Sequence, residues 1–290
     1  MPYKSAKIYY DGSHYIAIPK ENFPSRSGKK KKTSKPTTKK QAFESAYKES
    51  KSLPRNERKE HIVNAIKDNF KSEEQAIEFV ENNIERKKNN AIKRRVRLMR
   101  KIYLQNWNYF CTFTYSDELH TEESFKEKLR NTLKHFVSRN GWKHIGAFER
   151  SPVNNRLHFH GIFCIPKMVG VITEEKDYST KTKRMQTTYQ NSHFLKHFGR
   201  NDFKALPTQE DVIQSVRYLI KYIEKSNERL CFGGDLPTYF LSDILDDDIV
   251  CPIGIEDKKA LLFDNFNCWE DGCLIGTVSK ETIKELPKSN

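Results

Sequence analysis

The spacing of apolar residues changes period several times along the chain, and each change marks an element. In KIYYDGSHYIAI, β-branched and aromatic runs flank Asp11-Gly12, a dipeptide that favours tight hairpin turns, so the pattern predicts two short strands. Between residues 53 and 101, Ile62, Ile66, Phe70, Ile77, Val80, Ile84, Ile92, Val96 and Met99 recur at helical spacing, with an interruption near 69–72. The texture switches at Trp107, where NYFCTFTY alternates with high β-propensity. TEESFKEKLRNTLKHFVSR then reads as an amphipathic helix capped by Thr121, with carboxylates in its first turn. HIGAFER and RLHFHGIFCIP are two further strands separated by the turn-like SPVNN. After a polar stretch, QEDVIQSVRYLIKYIEKS is a helix started by Thr208 with Glu210 in its first turn, followed by strands near RLCFGG and in the tail. This order predicts an α+β fold: a central antiparallel sheet with helices on one face, preceded by a helical basic region. No internal repeat is visible at periods of 20–50 residues.

Composition narrows the class. The chain has 290 residues, of which 36% are hydrophobic and 31% charged, and its mean hydropathy is −0.80. Nothing in it supplies the roughly 20 consecutive apolar residues of a membrane span, so no membrane partner is expected. The segment MPYKSAKIYYDG lacks the apolar core of a secretory signal, which makes the cytoplasm the expected location. The six cysteines are scattered, form no C-x-x-C pair and fit no common zinc spacing, so they read as reduced thiols.

The net charge of +14 is unevenly spread. PKENFPSRSGKKKKTSKPTTKKQ has little to bury and reads as a flexible basic linker, although a targeting signal has the same composition. KRRVRLMRK is either a solvated helix face or a rail for phosphates carrying Arg94, Arg95 and Arg97. Residues 231–290 are acidic, with 5 basic against 12 acidic side chains. A basic surface of this extent attracts a polyanion, and nucleic acid is the usual one.

Two constellations carry candidate chemistry. Alternate residues of a strand share a face, so His158 and His160 in LHFHGIF present two imidazoles side by side. Antiparallel pairing across SPVNN brings Glu149 of HIGAFER beside them, a nitrogen-nitrogen-oxygen set suited to a divalent cation with positions left for substrate. The second constellation is RYLIKYIEK. Tyr218 and Tyr222 are four apart, as are Lys221 and Lys225, and each tyrosine is followed three residues later by a lysine. A phenol with a pKa of about 10 is a poor nucleophile at neutral pH and needs a nearby cation and a polarised electrophile. Metal-polarised phosphorus and an adjacent lysine supply both. Arg150, Arg156 and Arg217 flank the site as phosphate ligands. His193 and His197, i and i+4 in NSHFLKHFGR, lack a third ligand and read as a packed face.

LHFHGIF upstream of YLIKYIEK, with NYFCTFTY before both, resembles the three motifs of the HUH endonucleases, in the His-first, Tyr-later order of rolling-circle replication initiators. Conjugative relaxases have the opposite order. The tyrosine pair enclosing Lys221 is most similar to the gene A replication proteins of microviruses, in a group that includes the gene II nickases of filamentous phages. The resemblance covers residues 106–226. It implies a ferredoxin- or RRM-like HUH core, Mg²⁺ or Mn²⁺ on His158 and His160 with Glu149 as the upstream third ligand, attack by Tyr218 and Tyr222, and assistance from Lys221. It further implies a 5′-phosphotyrosyl intermediate, single-stranded or supercoiled origin DNA as substrate, and a bacterial cytoplasm as the setting. No G-x-x-x-x-G-K-[ST] is present, so a host helicase and polymerase are the expected partners.

The resulting layout is a hairpin over 1–19, a basic linker over 20–40, a helical basic region over 41–105, a catalytic domain over 106–232 and an acidic region over 233–290. Two other readings stay open. One is a tyrosine transposase of the same superfamily, although those are usually shorter and carry one catalytic tyrosine. The other is a non-catalytic nucleic-acid-binding module on an RRM-like sheet.

Overall fold

In a computed structural model of the chain, the elements run β1 (Tyr3–Tyr10), β2 (Tyr15–Ile18), α1 (Thr38–Glu49), α2 (Arg55–Ile66), α3 (Glu73–Tyr103), β3 (Tyr109–Thr114), α4 (Glu122–Asn140), β4 (Lys143–Arg150) and β5 (Leu157–Cys164). They continue with β6 (Ile172–Ser179), β7 (Arg184–Asn191), α5 (Ser192–His197), β8 (Asn201–Ala205), α6 (Gln209–Ser226), β9 (Cys231–Gly233) and β10 (Tyr239–Ile244). The chain closes with β11 (Ile249–Pro252), β12 (Ala260–Leu262), β13 (Asn267–Glu270), β14 (Cys273–Thr277), α7 (Lys280–Glu285) and β15 (Lys288–Ser289). The structure describes residues 3–19, 38–151, 155–179, 183–226, 229–253 and 259–290, without the side chains of 55, 179 and 221–226. Most of the expected linker, 20–37, lies outside them. The fold is α+β, as the element order predicts.

The chain divides into two units, residues 21–98 and residues 1–20 with 99–290. The smaller is helical. Its core joins Phe43 and Ala46 of α1 to Ile62, Val63 and Ile66 of α2 and Val80 of α3, of which Ile62, Ile66 and Val80 belong to the apolar stripe legible in the sequence.

The larger unit holds two sheets and a separate β6–β7 hairpin. The five-stranded sheet has the order β8-β3-β5-β4-β9, antiparallel throughout. One of its faces is aromatic: Phe113, Phe148, Phe159 and Phe163 meet Phe125, Leu129, Leu133 and Phe136 of α4 and Phe194 of α5. Each such buried ring contributes roughly 1.5–3 kcal/mol of transfer free energy. Crowding of rings is what Gly146 answers. A Cβ there would overlap Phe159 Cζ and stand 2.7 Å from the His160 carbonyl oxygen, so only glycine lets the ring lie across the strand. Helix α4 starts as expected, with Thr121 Oγ1 accepting from the Ser124 N–H at 3.3 Å, and ends at Gly141, whose φ of 69° is left-handed.

Helix α6 does not share that face. Its stripe of Val212, Val216 and Leu219 is buried, and the helix packs against β4 and β5 on the face that carries the histidines. The sequence reading put all helices on one face; the structure divides them, because Ile145, Ala147 and Ile162 are also buried and the second face needs a cover. The polar stretch before α6 contains β6, β7, α5 and β8. Its strands escaped the pattern because their residues are polar and largely exposed on both faces, leaving no period to detect.

The second sheet has eight strands, in the order β11-β12-β2-β1-β10-β13-β14, with β15 also paired to β10. The amino-terminal hairpin and the acidic region, separate in the sequence reading, are therefore one layer: Ile8 pairs with Phe240, and Ala17 with Ala260. Its core collects Ile8, Tyr15, Phe240, Ile244, Phe266 and Ile283. All six cysteines are free thiols; Cys111 and Cys268 are buried, while Cys251 and Cys273 are exposed.

Candidate active site

The register of three strands builds the site. Strand β5 pairs His158 with Thr114 and Glu149, and His160 with Thr112 and Ala147. Because the side-chain period is two, all of these point to the face that α6 covers. Each imidazole is anchored through Nδ1, His158 to Thr114 Oγ1 at 2.7 Å and His160 to Thr112 Oγ1 at 3.0 Å. The ring centroids of the two histidines are 6.0 Å apart. Glu149 is buried, and its Oε2 lies 3.4 Å from His160 Nε2. Burial, reinforced by the charge of His158, pushes the His160 pKa down to about 3. The contact with Glu149 is therefore an approach of a neutral imidazole to a carboxylate rather than an ion pair. Burial also lowers His158, with smaller contributions from the charges of Arg156 and Arg200. Neutral imidazoles are the form that binds metal.

Helix α6 brings Tyr218 onto this face. Its ring stands edge-on to His160 at 5.7 Å and to Phe110 at 5.6 Å, and 39% of the residue is exposed. Thr208 caps the helix: its Oγ1 accepts from the Asp211 N–H at 3.2 Å, while the Asp211 carboxylate accepts from the Thr208 N–H at 3.2 Å. The side chains of Lys221, Tyr222 and Lys225, on the last turns of α6, lie outside the described residues.

The structure thus gathers Glu149, His158, His160 and Tyr218. Arg156 sits at the rim, paired with Asp117 at 2.9 Å and lying over the Tyr115 ring at 4.6 Å, and its charge is felt at His158. Arg150 is exposed and ion-paired to Glu122, and its Nη1 donates to the Asn155 carbonyl at 3.1 Å. Arg217 is exposed on α6 beside Tyr218. Arg94, Arg95 and Arg97 are exposed on the part of α3 that belongs to the helical unit. The rings of His193 and His197 meet at a tilt of 48° with centroids 4.6 Å apart, and His193 also meets Phe136 on the aromatic face, a packing arrangement.

Sequence reasoning missed four residues near the site. Thr112 and Thr114 were legible in principle, since T-x-T pairs in register with H-x-H. Arg200 and Asp202 were hidden in the polar stretch. Asp202 pairs with Thr112 across β3 and β8, and burial raises its pKa.

The family implied by the motifs carries a divalent cation, and the donor chemistry fits one: two neutral imidazoles, each held at Nδ1 by a hydroxyl, and a carboxylate next to Nε2 of one of them. Among the described residues no three His, Cys, Asp or Glu side chains are gathered tightly enough to hold an ion as they stand.

The sequence model of the family described as replication-associated protein ORF2/G2P matches residues 108–227. That span contains β3, β4, β5 and α6, all the elements that build the site. The chain is therefore similar to replication-associated proteins over the segment holding its candidate chemistry. No curated protein and no solved structure matches it. Among the described residues no helix is long and apolar enough to cross a membrane.

Proposed function

We propose that the protein initiates rolling-circle DNA replication by cutting one strand of an origin and rejoining it through a tyrosine. The observation that carries this reading is the placement of the Tyr218 ring against His160, with His158 and Glu149 on the same face, inside the segment similar to replication-associated proteins. The Tyr218 phenol gives up its proton to water, its oxygen attacks the backbone phosphorus, the P–O3′ bond breaks, and the 3′ oxygen takes a proton from water and leaves as a hydroxyl. The product is a 5′-phosphotyrosyl ester that keeps the energy of the phosphodiester, so rejoining by a 3′-hydroxyl needs no nucleotide.

His158, His160 and Glu149 would hold Mg²⁺ or Mn²⁺, whose contribution when bound is to withdraw charge from the phosphorus. Arg156 and Arg200 add positive charge beside His158, where the phosphate must sit. Lys221, by the resemblance, offsets the charge of the phenolate. Tyr222, one turn further along α6, is the second nucleophile, able to cut while the first link is resolved. Unwinding and synthesis fall to a helicase and polymerase of the host.

The test is incubation with labelled single-stranded oligonucleotides from the intergenic region of the element that encodes the protein, with Mn²⁺ or with EDTA, resolved on a denaturing gel. A metal-dependent adduct mapping to Tyr218 or Tyr222, and absent when both are changed to Phe, is expected. Strand binding without any adduct, with Mn²⁺ shown to be bound, would replace this reading by that of a non-catalytic binding module.

A further inference from the structure

The face of β4 and β5 that carries Glu149 and the histidines continues to the other end of the strands, where Lys143 pairs with Cys164. Lys143, Ile145, Ala147 and Glu149 alternate onto that face, which puts Lys143 about 20 Å from Glu149. There the larger unit opens a cavity of about 310 Å³ whose wall brings together Lys143, Lys280, Lys284 and Lys288. Residues 231–290 are strongly acidic and contain only 5 lysines, yet three of those five line this one cavity. A tail that merely balanced charge would have no reason to place them so.

Three of these ammonium groups, those of Lys143, Lys280 and Lys288, are held by neutral acceptors. Lys143 Nζ donates to Gln105 Oε1 at 2.9 Å, Lys288 Nζ to the carbonyls of Lys284 and Leu286 at 2.9 and 3.0 Å, and Lys280 to the Gln209 side chain at the start of α6. Among the described residues none of the four forms an ion pair with a carboxylate. Asp235, also on the wall, accepts from the Asn290 side chain at 3.4 Å and lends its charge to Lys101. Burial lowers the pKa of Lys280 and of Lys288; at Lys280 the neighbouring Glu281 opposes the shift and Lys284 adds to it, and at Lys288 the charge of Lys143 adds to it. Four lysines against the single carboxylate of Asp235 leave this wall with an excess of positive charge, a cost in free energy that a bound anion would recover. The wall is rich in lysine and carries one aromatic side chain, Tyr103, whose ring is stacked on Tyr10 at 4.0 Å. The recognition chemistry is thus that of phosphate rather than of a nucleoside.

We propose that this lysine cavity is a second phosphate subsite, one that holds the backbone of the DNA strand at the far end of the sheet face that carries the cutting site. The identity of the ligand as DNA rests on the function proposed above; the phosphate chemistry does not. Lys280, bonded to the first residue of α6, and Tyr218, further along the same helix, then act at two ends of one element.

The experiment measures binding of a labelled single-stranded oligonucleotide by fluorescence anisotropy across a salt series, for the full-length protein and its Lys280→Gln/Lys284→Gln variant. Removing one lysine–phosphate pairing should flatten the plot of log affinity against log salt by about 0.7, so the double variant should be flatter by about 1.4, and Lys→Arg changes should restore the slope. Lys284→Gln alone should show about half of this change. Among the described residues the Lys284 ammonium makes no hydrogen bond or ion pair, so this single variant guards against a folding defect in the double one. An unchanged slope would overturn the proposal. So would calorimetric binding of pyrophosphate that the variant abolishes while its strand affinity stays intact, which would make the cavity a site for free phosphates. Binding is read without cleavage, so failure to form a covalent adduct would sink the nicking reading and leave this result standing.

Discussion

His144 gives the protein an acid sensitivity that is measurable apart from its function. The residue lies on β4 with 6% of its surface exposed, stacked on Phe163 at 5.5 Å, and its Nδ1 has no hydrogen-bond partner. Its ring covers Gly233 so closely that a Cβ there would overlap His144 Cε1, so neither water nor a counter-charge has room to enter on that side. Burial pushes its pKa from 6.5 down to about 4. In the unfolded chain the imidazole takes a proton as pH falls through 6.5, whereas the folded protein resists protonation until about pH 4. The unfolded state therefore binds more protons between these limits, and stability falls with pH across that window and levels off below it. At about 1.36 kcal/mol per pH unit the gap is worth about 3 kcal/mol. The perturbation is His144→Leu, which removes the titration at similar volume. The assay is urea unfolding followed by tryptophan fluorescence at about pH 7.5 and about pH 4.5, on either side of most of the window. Trp107, Trp142 and Trp269 all belong to the larger unit, so the signal reports that unit alone. The drop in stability between the two pH values should be smaller in the variant by about 3 kcal/mol, whatever the substitution costs at neutral pH. Parallel pH dependences in variant and wild type would refute the argument.

Other changes have expected outcomes of their own. Gly146→Ala drives a methyl into Phe159 and the His160 carbonyl, and should cost about 1–3 kcal/mol in chemical denaturation; an unaltered midpoint would show that the aromatic layer yields. Thr112→Val leaves His160 Nδ1 without its hydroxyl and should weaken Mn²⁺ binding by roughly 10–100-fold in calorimetry, with an unchanged affinity removing Thr112 from any role in orienting the ligand. Thr121→Ala strips the cap from α4 and should lower stability by about 1 kcal/mol in the same unfolding assay; no decrease would mean that water replaces the hydroxyl at no cost.

The parts of the site that follow from local periodicity were legible in the sequence. Period-two alternation placed His158 and His160 on one face, and the short SPVNN connection fixed the register that sets Glu149 opposite His158. The helical stripe of α6 was equally plain, and it turned Tyr218 toward the sheet because Val212, Val216 and Leu219 had to be buried. What stayed hidden depends on distant pairing. Nothing near Tyr3–Tyr10 announces a partner at Tyr239–Ile244, since both strands carry the same kind of alternation and any edge strand would satisfy it. Arg200 and Asp202 escaped for a different reason: strand β8 is short and only Asn201 and Phe203 are buried, too little pattern to register. Helices on both faces of one sheet could not be read from element order alone.

The pairing of β1 with β10 also has a consequence for synthesis on the ribosome. Strand β1 must wait for a partner that lies more than two hundred residues later, and at roughly 5–20 residues per second that interval is about 10–45 s. During it, the hairpin exposes a side of Tyr3–Tyr10 whose hydrogen-bond groups will later join Tyr239–Ile244, an aromatic strand edge with nothing to pair with. The lysine-rich run that follows it in the sequence, KKKKTSKPTTKK, emerges next and supplies the charge and proline that discourage one nascent edge from joining another. The same residues that make the front of the protein basic thus double as a guard on the strand that waits for the far end of the chain.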